Sequence, residues 1–336
     1  MEDTTPETLH ISGYGKKLKK HHNMLVVEWK KEEEDMSLSF TPSRLSHVIL
    51  SGEHMVSTGA IRLLLDNDVA FSYLDSFGNP IGYLFPHHKS RHIELWEKQI
   101  NMDPIHSMEI ASSICVAVAK NKISLLQSMQ RSRGVELGGF VADIKSIMEN
   151  MYDLKENSVL MGYEGMVSSI YFSALKMLIP EEFGFNSRIK HPSPDPVNVM
   201  LSYGYGILYS KVRLALMKMN LNPFCGVLHV SYKSQEALVY DLIEEFRQPV
   251  VDKTILTLIG RRQVSPDDFT VSADQCEIKE SFKKNFAGSI LSRIESETKY
   301  DDGNKEIGEI INMQAKKLRD AIENKTAYEA FVFRTR

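Results

Sequence analysis

CGVLHVSYKSQEALVYDLIEEFRQ, residues 225–248, carries a helix in its second half. From about Ser234 onward, Val239, Leu242, Ile243 and Phe246 recur at i, i+3, i+4 and i+7, one apolar face of a 3.6-residue period. Asp241 and Glu244 lie away from the centre of that stripe and, three residues apart, are neighbours on the helix surface. Arg247 follows Glu244 at the same spacing. Upstream, Asn222-Pro223 and Gly226 break the chain, so His229 sits on a short approach segment just before the helix. One imidazole can therefore meet two carboxylates borne on one rigid face, a set that suits a hard divalent metal if another acid closes the site. The same pattern also describes the wet side of an ordinary amphipathic helix, and a lone histidine is more often structural than a ligand.

A third carboxylate lacks that ordinary explanation. From Asn157 to Leu175, NSVLMGYEGMVSSIYFSAL, Glu164 is the only charged side chain. Val167, Ser168, Tyr171 and Leu175 share its side of a helix, so the carboxylate points where a core should be. Uncompensated burial of a carboxylate costs several kcal/mol, so such groups are rare unless paired or bound to metal. Gly162 and Gly165 flank it at roughly 1 kcal/mol each and would let another backbone or a ligand approach. A buried salt bridge to Arg213 or Arg188 is the structural alternative; a metal site is the expectation preferred here.

Two or three carboxylates with one imidazole suit Mn²⁺ or Mg²⁺ better than zinc, which prefers nitrogen and sulfur in a closed tetrahedron. Such a cation can activate an oxygen nucleophile and polarise the group it attacks.

GYEGMVSSIYFSAL, HPSPDPVNVMLSYGYGILYSKV, LNPFCGVLH and ALVYDLIEEFRQPVVD, in this order and spacing, resemble the CRISPR-associated family Cas one. That family supplies the endonuclease and integrase of spacer acquisition, and the resemblance extends more weakly to both ends of the chain. It implies metal binding through Glu164, His229 and Glu244, with Asp241 close by as a further catalytic residue. Some relatives have aspartate where this chain has Glu244. The resemblance also implies joining of the 3′ ends of short DNA fragments to the CRISPR repeat, with double-stranded and branched DNA as partner. It implies a homodimer formed largely through the N-terminal domain, with a Cas two partner bridging two such dimers. HPSPDPVN is placed close to the metal, where Arg188, Lys190 and His191 would meet phosphate, since positive groups beside a cation need something negative between them. Tyr209 occupies a place where the family commonly keeps a tyrosine near the active site. With Asn198 and Arg247 these complete the auxiliary or DNA-binding set. A casposase, the transposon-borne relative, typically carries extra C-terminal DNA-binding sequence, and this chain ends too soon after Glu244 to hold it. A non-catalytic DNA-binding scaffold is the alternative from a different class.

At 336 residues the chain has room for two domains. Its 43% hydrophobic and 25% charged content is that of an ordinary soluble globular protein. A net charge of −4 gives no general attraction for nucleic acid, so DNA binding has to rest on local basic patches. The three cysteines, Cys115, Cys225 and Cys276, form no CxxC pair, which suits a reducing cytoplasm and indicates neither a zinc knot nor a disulfide framework. MEDTTPETLH is unlike a signal peptide, and no stretch reads as a membrane span.

The expected fold class is α+β: a small mostly-β domain over 1–88, a linker and first helix over 89–104, and an all-α catalytic domain over 105–336. Leu9 and Ile11 alternate with polar neighbours, and 24–29, 37–40, 47–50, 69–74 and 81–85 read as strands. Ser57 caps one helix that Asp66-Asn67-Asp68 ends, and Ser76 to Pro80 makes a hairpin. Beyond Pro104 the period is helical to about Ile322, apart from the Pro-rich loop at 191–196, the turn before His229 and a loop at Tyr300–Asn304. KKLKKHH from Lys16, Arg131 with Arg133, and Arg261-Arg262 read as solvated surface clusters. Tyr203 and Tyr205 read as core.

Overall fold

The structure, a computed structural model, describes residues 7–31, 34–75, 80–84, 92–152, 154–190, 192–229, 235–272, 276–301 and 303–334. The N-terminal part holds eight strands: β1 (Glu7–Ser12), β2 (Lys17–His21), β3 (Met24–Lys31), β4 (Glu34–Phe40), β5 (Leu45–Ser51), β6 (Met55–Val56), β7 (Ala70–Leu74) and β8 (Pro80–Leu84). A helix, α1 (Thr58–Leu65), separates β6 from β7. The strands form two four-stranded sheets, ordered β1-β5-β7-β8 and β4-β3-β2-β6. Ser57 caps α1, its hydroxyl accepting from the Ala60 N–H at 3.2 Å.

The basic run at 16–20 is largely strand rather than loose surface. Leu18 is fully buried between exposed Lys17 and Lys19 in β2, which pairs antiparallel with β3. β5 lies between parallel neighbours β1 and β7 and is buried on both faces, so it reads as a continuous apolar run. Val48 and Leu50 enter the small N-terminal core, whereas Ile49 on the opposite face joins the larger core built by the helices. The expected hairpin turn at 76–79 lies outside the described residues, but the strands that flank it, β7 and β8, pair antiparallel.

The remainder is helical: α2 (His92–Ile100), α3 (Pro104–Arg133), α4 (Gly138–Met148), α5 (Asn157–Lys176), α6 (Pro196–Lys218), α7 (Ala237–Phe246), α8 (Lys253–Gly260), α9 (Glu280–Glu295) and α10 (Ile307–Asn324). It is not all-α. Two antiparallel hairpins interrupt it, β9 (Phe269–Val271) with β10 (Cys276–Ile278), and β11 (Glu297–Tyr300) with β12 (Gly303–Glu306). These strands of three and four residues are too short to show a period, and the loop expected at 300–304 proves to be the second hairpin's turn. α3 and α6 start alike, with Pro104 and Pro196 in the first turn and with Asp103 and Asp195 accepting backbone N–H bonds at 2.9 and 2.8 Å.

α7 and α8 are joined without a break by a π-helical turn, Arg247–Asp252. Pro249 is the local cause. It has no N–H to return to the Glu245 carbonyl four residues earlier, so the α ladder cannot continue. That carbonyl instead accepts from Asn121 Nδ2 on α3 at 2.9 Å. The turn carries Arg247 and Asp252 into the same region as Glu244. α6 lies close against it: a Cβ at Gly204 would stand 2.6 Å from Val251 Cγ1. Among the described residues no helix is long and apolar enough to cross a membrane.

Candidate active site

The chain before α7 folds onto Asp241. This carboxylate is fully buried, and both oxygens are engaged. Oδ2 accepts from the backbone N–H groups of Val227 and Leu228 at 2.6 and 3.2 Å, and Oδ1 from His229 N at 2.9 Å. His229 Nδ1 lies 2.7 Å from Oδ1. A carboxylate accepts only, so Nδ1 carries the proton, and in the neutral ring Nε2 is the free acceptor. Nε2 has no hydrogen-bond partner among the described residues. Burial opposes the imidazolium, but the Asp241 bond and charge, with Glu244, outweigh it and lift His229 above its ordinary range. Only glycine fits at 226, because a Cβ there would lie 2.6 Å from the His229 carbonyl oxygen and 2.9 Å from Asp241 Oδ2. Asp241 and Glu244 therefore do different work. Asp241 is a brace inside the fold rather than a group facing a substrate.

Glu244 and Arg247 pair across one turn at 2.6 Å. The Arg247 guanidinium stands over the Tyr205 ring, 4.7 Å from its centroid, and the Arg188 guanidinium approaches the same ring at 5.7 Å. Behind them Asp252 is buried and accepts from the hydroxyls of Tyr171 and Tyr205, each at 2.6 Å. Burial raises the Asp252 pKa above the usual carboxylate range despite those two bonds and the charge of Arg247.

Glu164 is half-buried on α5, its side chain 28% exposed, and its partner is neither Arg213 nor Arg188. The cation is Lys122 of α3, 3.5 Å away with a side chain only 3% exposed. Lys122 Nζ also donates to Ser168 Oγ at 2.6 Å, and Ser168 passes its own proton to Glu164 Oε1 at 2.7 Å. Burial resists ionisation of Glu164, but Lys122, Ser168 and Arg247 prevail and hold its pKa below the usual value. Arg213 is bound to Glu236 at 2.7 and 2.8 Å. Gly162 and Gly165 admit no close neighbour, since nothing lies within 4 Å of a Cβ at either.

The auxiliary residues are spread. Asn198 is fully buried and knits the loop before α6: its oxygen accepts from Arg188 Nη1 at 3.0 Å and Ile189 N at 2.9 Å, and its amide donates to Asp195 and Ser187. It positions Arg188 rather than facing outward. Lys190 is exposed and His191 lies outside the described residues. Tyr209 is buried, donates to Glu236 at 2.7 Å and packs on Tyr240, whose ring neighbours that of His229.

Glu164, His229 and Glu244 share one electrostatic neighbourhood: the charges of Glu164 and Glu244 both act on Arg247, and that of Glu244 also acts on His229. Their donor types, two carboxylates and an imidazole nitrogen left free by its second partner, suit a hard divalent cation. They are not drawn together as a ligand set. Among the described residues no three His, Cys, Asp or Glu side chains converge in metal-binding geometry. Glu164 and Glu244 are turned instead to Lys122 and Arg247.

Against known proteins, the family described as CRISPR associated protein Cas1 matches residues 9–291. The chain belongs to the Cas1 family. A CRISPR-associated endonuclease Cas1 of Methanospirillum hungatei is 35% identical over 328 residues, covering 97% of this chain and 98% of that one. Among solved structures, a casposase bound to integration product matches with a TM-score of 0.85 at 23% identity, over 95% of this chain and 91% of that one. The Cas1-containing chain of a Cas6-RT-Cas1–Cas2 complex matches at 0.82 and 22% identity, over all (100%) of this chain and 37% of that one. At that identity both likenesses speak for the Cas1 fold.

Lys122, Ser168 and Asp252 were not singled out from the sequence. Lys122 left a signal, because it falls on the stripe Cys115, Val118, Leu125, Leu126 and Met129, all buried. Asp252 left none, since its support comes from two tyrosines on different helices.

Proposed function

We propose that this Cas1-family chain is a divalent-metal-dependent DNA endonuclease and integrase of CRISPR adaptation, with Glu164, His229 and Glu244 holding Mn²⁺ or Mg²⁺. The observation that carries the metal assignment is His229, fixed by Asp241 through Nδ1 and left with Nε2 free beside Glu244. When bound there, the cation would polarise the phosphodiester and stabilise the leaving oxygen. The chain's own part is to orient and to balance charge. Asp241 fixes the tautomer and direction of His229, Lys122 keeps Glu164 ionised, and Arg247 pairs with Glu244. Arg188, held by Asn198, and exposed Lys190 supply positive charge for the DNA backbone. Either a 3′-hydroxyl or a water can be the nucleophile, so strand transfer into a repeat and hydrolysis fall to one site.

The working assembly on this reading is a homodimer through the N-terminal sheets, joined to a Cas2 partner on double-stranded and branched DNA. A casposase-like transposon integrase would use the same residues, and gene neighbourhood separates the two. The experiment is strand transfer of a short duplex into a supercoiled repeat plasmid with Mn²⁺. His229→Ala and Glu244→Gln should each lower it at least ~10–100-fold, the loss typical when even an outer partner of a metal is removed, while duplex binding persists. Full activity in His229→Ala would end the proposal. A chain that binds DNA but takes up no Mn²⁺ would point to the scaffold instead.

A further inference from the structure

We propose that Lys122 is the resident counter-ion of Glu164 and that it makes metal binding at this site depend on bound DNA. The inference rests on the metal-site reading and adds to it when the metal binds.

Lys122 is a cation without an outlet. Its side chain is 3% exposed, and its ammonium is spent on Ser168 Oγ at 2.6 Å and Glu164 Oε1 at 3.5 Å, 5.7 Å from the centre of the Tyr171 ring. It sits too deep to meet a phosphate. Arg247 plays the matching part for Glu244 at 2.6 Å, but differs in reach, since its side chain is 20% exposed. Arg247 can turn to an incoming phosphate, whereas Lys122 has to stay.

Charge accounting then favours dependence on DNA. Each candidate carboxylate ligand already faces one positive charge, that of Lys122 being fixed, and the Asp241 charge is taken up by three backbone N–H groups and His229. A divalent cation added to such a balanced, partly dry pocket meets the uncompensated repulsion of Lys122, which is weakly screened there. A DNA phosphate at the mouth restores the balance. Metal and DNA should therefore bind with positive coupling, and each should raise the affinity of the other by the same factor. An ordinary structural ion pair would stabilise the fold without linking the two ligands.

The test is an Mn²⁺ titration of the full chain by electron paramagnetic resonance at pH 8, with and without a branched duplex ending in 3′-deoxynucleotides. Glu164→Gln supplies the background of metal held by DNA alone. The wild type should bind Mn²⁺ about tenfold or more tighter with DNA than without, within the usual range of coupling between two ligands. Lys122→Met should bind Mn²⁺ without DNA about tenfold tighter than the wild type and lose most of the DNA effect. Ser168→Ala, which leaves both charges, should stay close to the wild type. If Lys122→Met binds free Mn²⁺ no tighter than the wild type, the inference is overturned. Should that variant not fold, the wild-type arms decide alone, because equal affinity with and without DNA overturns it as well. Failure of the metal-site reading looks different: Glu164→Gln would then bind Mn²⁺ as the wild type does in both arms.

Discussion

Replacing Asp241 by Asn tests whether this residue is a brace. The change keeps size and shape but turns one accepting oxygen into a donor. If the new amide takes the place of Oδ2, it faces the Val227 and Leu228 N–H groups, now at 2.6 and 3.2 Å from a donor. If it takes the place of Oδ1, it faces His229 N at 2.9 Å and forces Nδ1, at 2.7 Å, to give up its proton. The first orientation leaves two donors without an acceptor at a fully buried position, and the second leaves one, the His229 N–H. A buried unsatisfied group costs ~1–3 kcal/mol, so the expected loss of stability is ~1–6 kcal/mol. The second orientation also moves the imidazole proton to Nε2 and removes the free acceptor. Urea denaturation with EDTA present measures the first effect, and Mn²⁺ binding the second. An Asp241→Asn protein that unfolds at the wild-type urea midpoint and binds Mn²⁺ normally would show that the cage contributes nothing and that Asp241 acts elsewhere.

Three further outcomes follow from the same contacts. Glu164→Gln strands the buried Lys122 ammonium. Breaking a buried pair costs ~3–5 kcal/mol; partial exposure of Glu164 and the surviving Ser168 bond reduce this to ~1–3 kcal/mol, and adding Lys122→Met should recover most of it in metal-free melts. Gly226→Ala should lose ~1–3 kcal/mol by overpacking and displace His229, while Gly162→Ala, with open space at its Cβ, should gain ~0.5–1 kcal/mol; equal melting temperatures for the two variants would contradict the packing argument. Lys211, whose pKa burial lowers to about 8, binds fewer protons folded than unfolded between pH 8 and 10.5. Stability should rise with pH across that window by up to ~3 kcal/mol, and Lys211→Met should remove the rise and be the more stable form at pH 7; an unchanged slope in urea midpoints from pH 7.5 to 9.5 would count against it.

Much of the architecture was legible because it repeats along the chain. The β-branched, apolar stretch at 24–29 and the apolar run of β5 declare strands, Ser57 declares the start of α1, and Val239 to Phe246 declare the buried face of α7. The family was legible in four spaced segments. What escaped depended on pairing in space. Asp241 and Glu244 look equivalent at i and i+3, and only the folded approach of Gly226 to His229 divides them into a caged brace and an acid paired with Arg247. Glu164 announced a need for a cation, and the nearest arginines in sequence pattern were the wrong ones. The ammonium that answers it comes from α3, where it sits unremarked among Cys115, Val118 and Leu125. Asn198 shows the reverse case. Its placement beside a basic loop suggested contact with DNA, but its four hydrogen bonds are all spent inside the protein. The π-helical turn was invisible because a proline after a helix ordinarily signals an end, and here Asn121 lets the helix continue.

The underside of α7 has a partner that is made late. Glu245, next to Glu244, turns away into the core, where burial pushes its pKa up to about 7. It is met there by the Tyr328 hydroxyl at 2.6 Å, the Phe331 N–H at 2.7 Å and Gln314 at 3.0 Å. Asn121, which takes the Glu245 carbonyl, also clasps Phe331 and Phe333. The segment from Tyr328 to Phe333 thus closes the helix from behind, yet it leaves the ribosome 83 residues or more after Glu245. At ~5–20 residues per second, the nascent helix waits several seconds with a carboxylate and a carbonyl facing water. Completion of α7 is therefore a post-emergence event timed by translation of a distant segment. On the proposed function, the site that α7 carries is finished only once Tyr328 to Phe333 have been made.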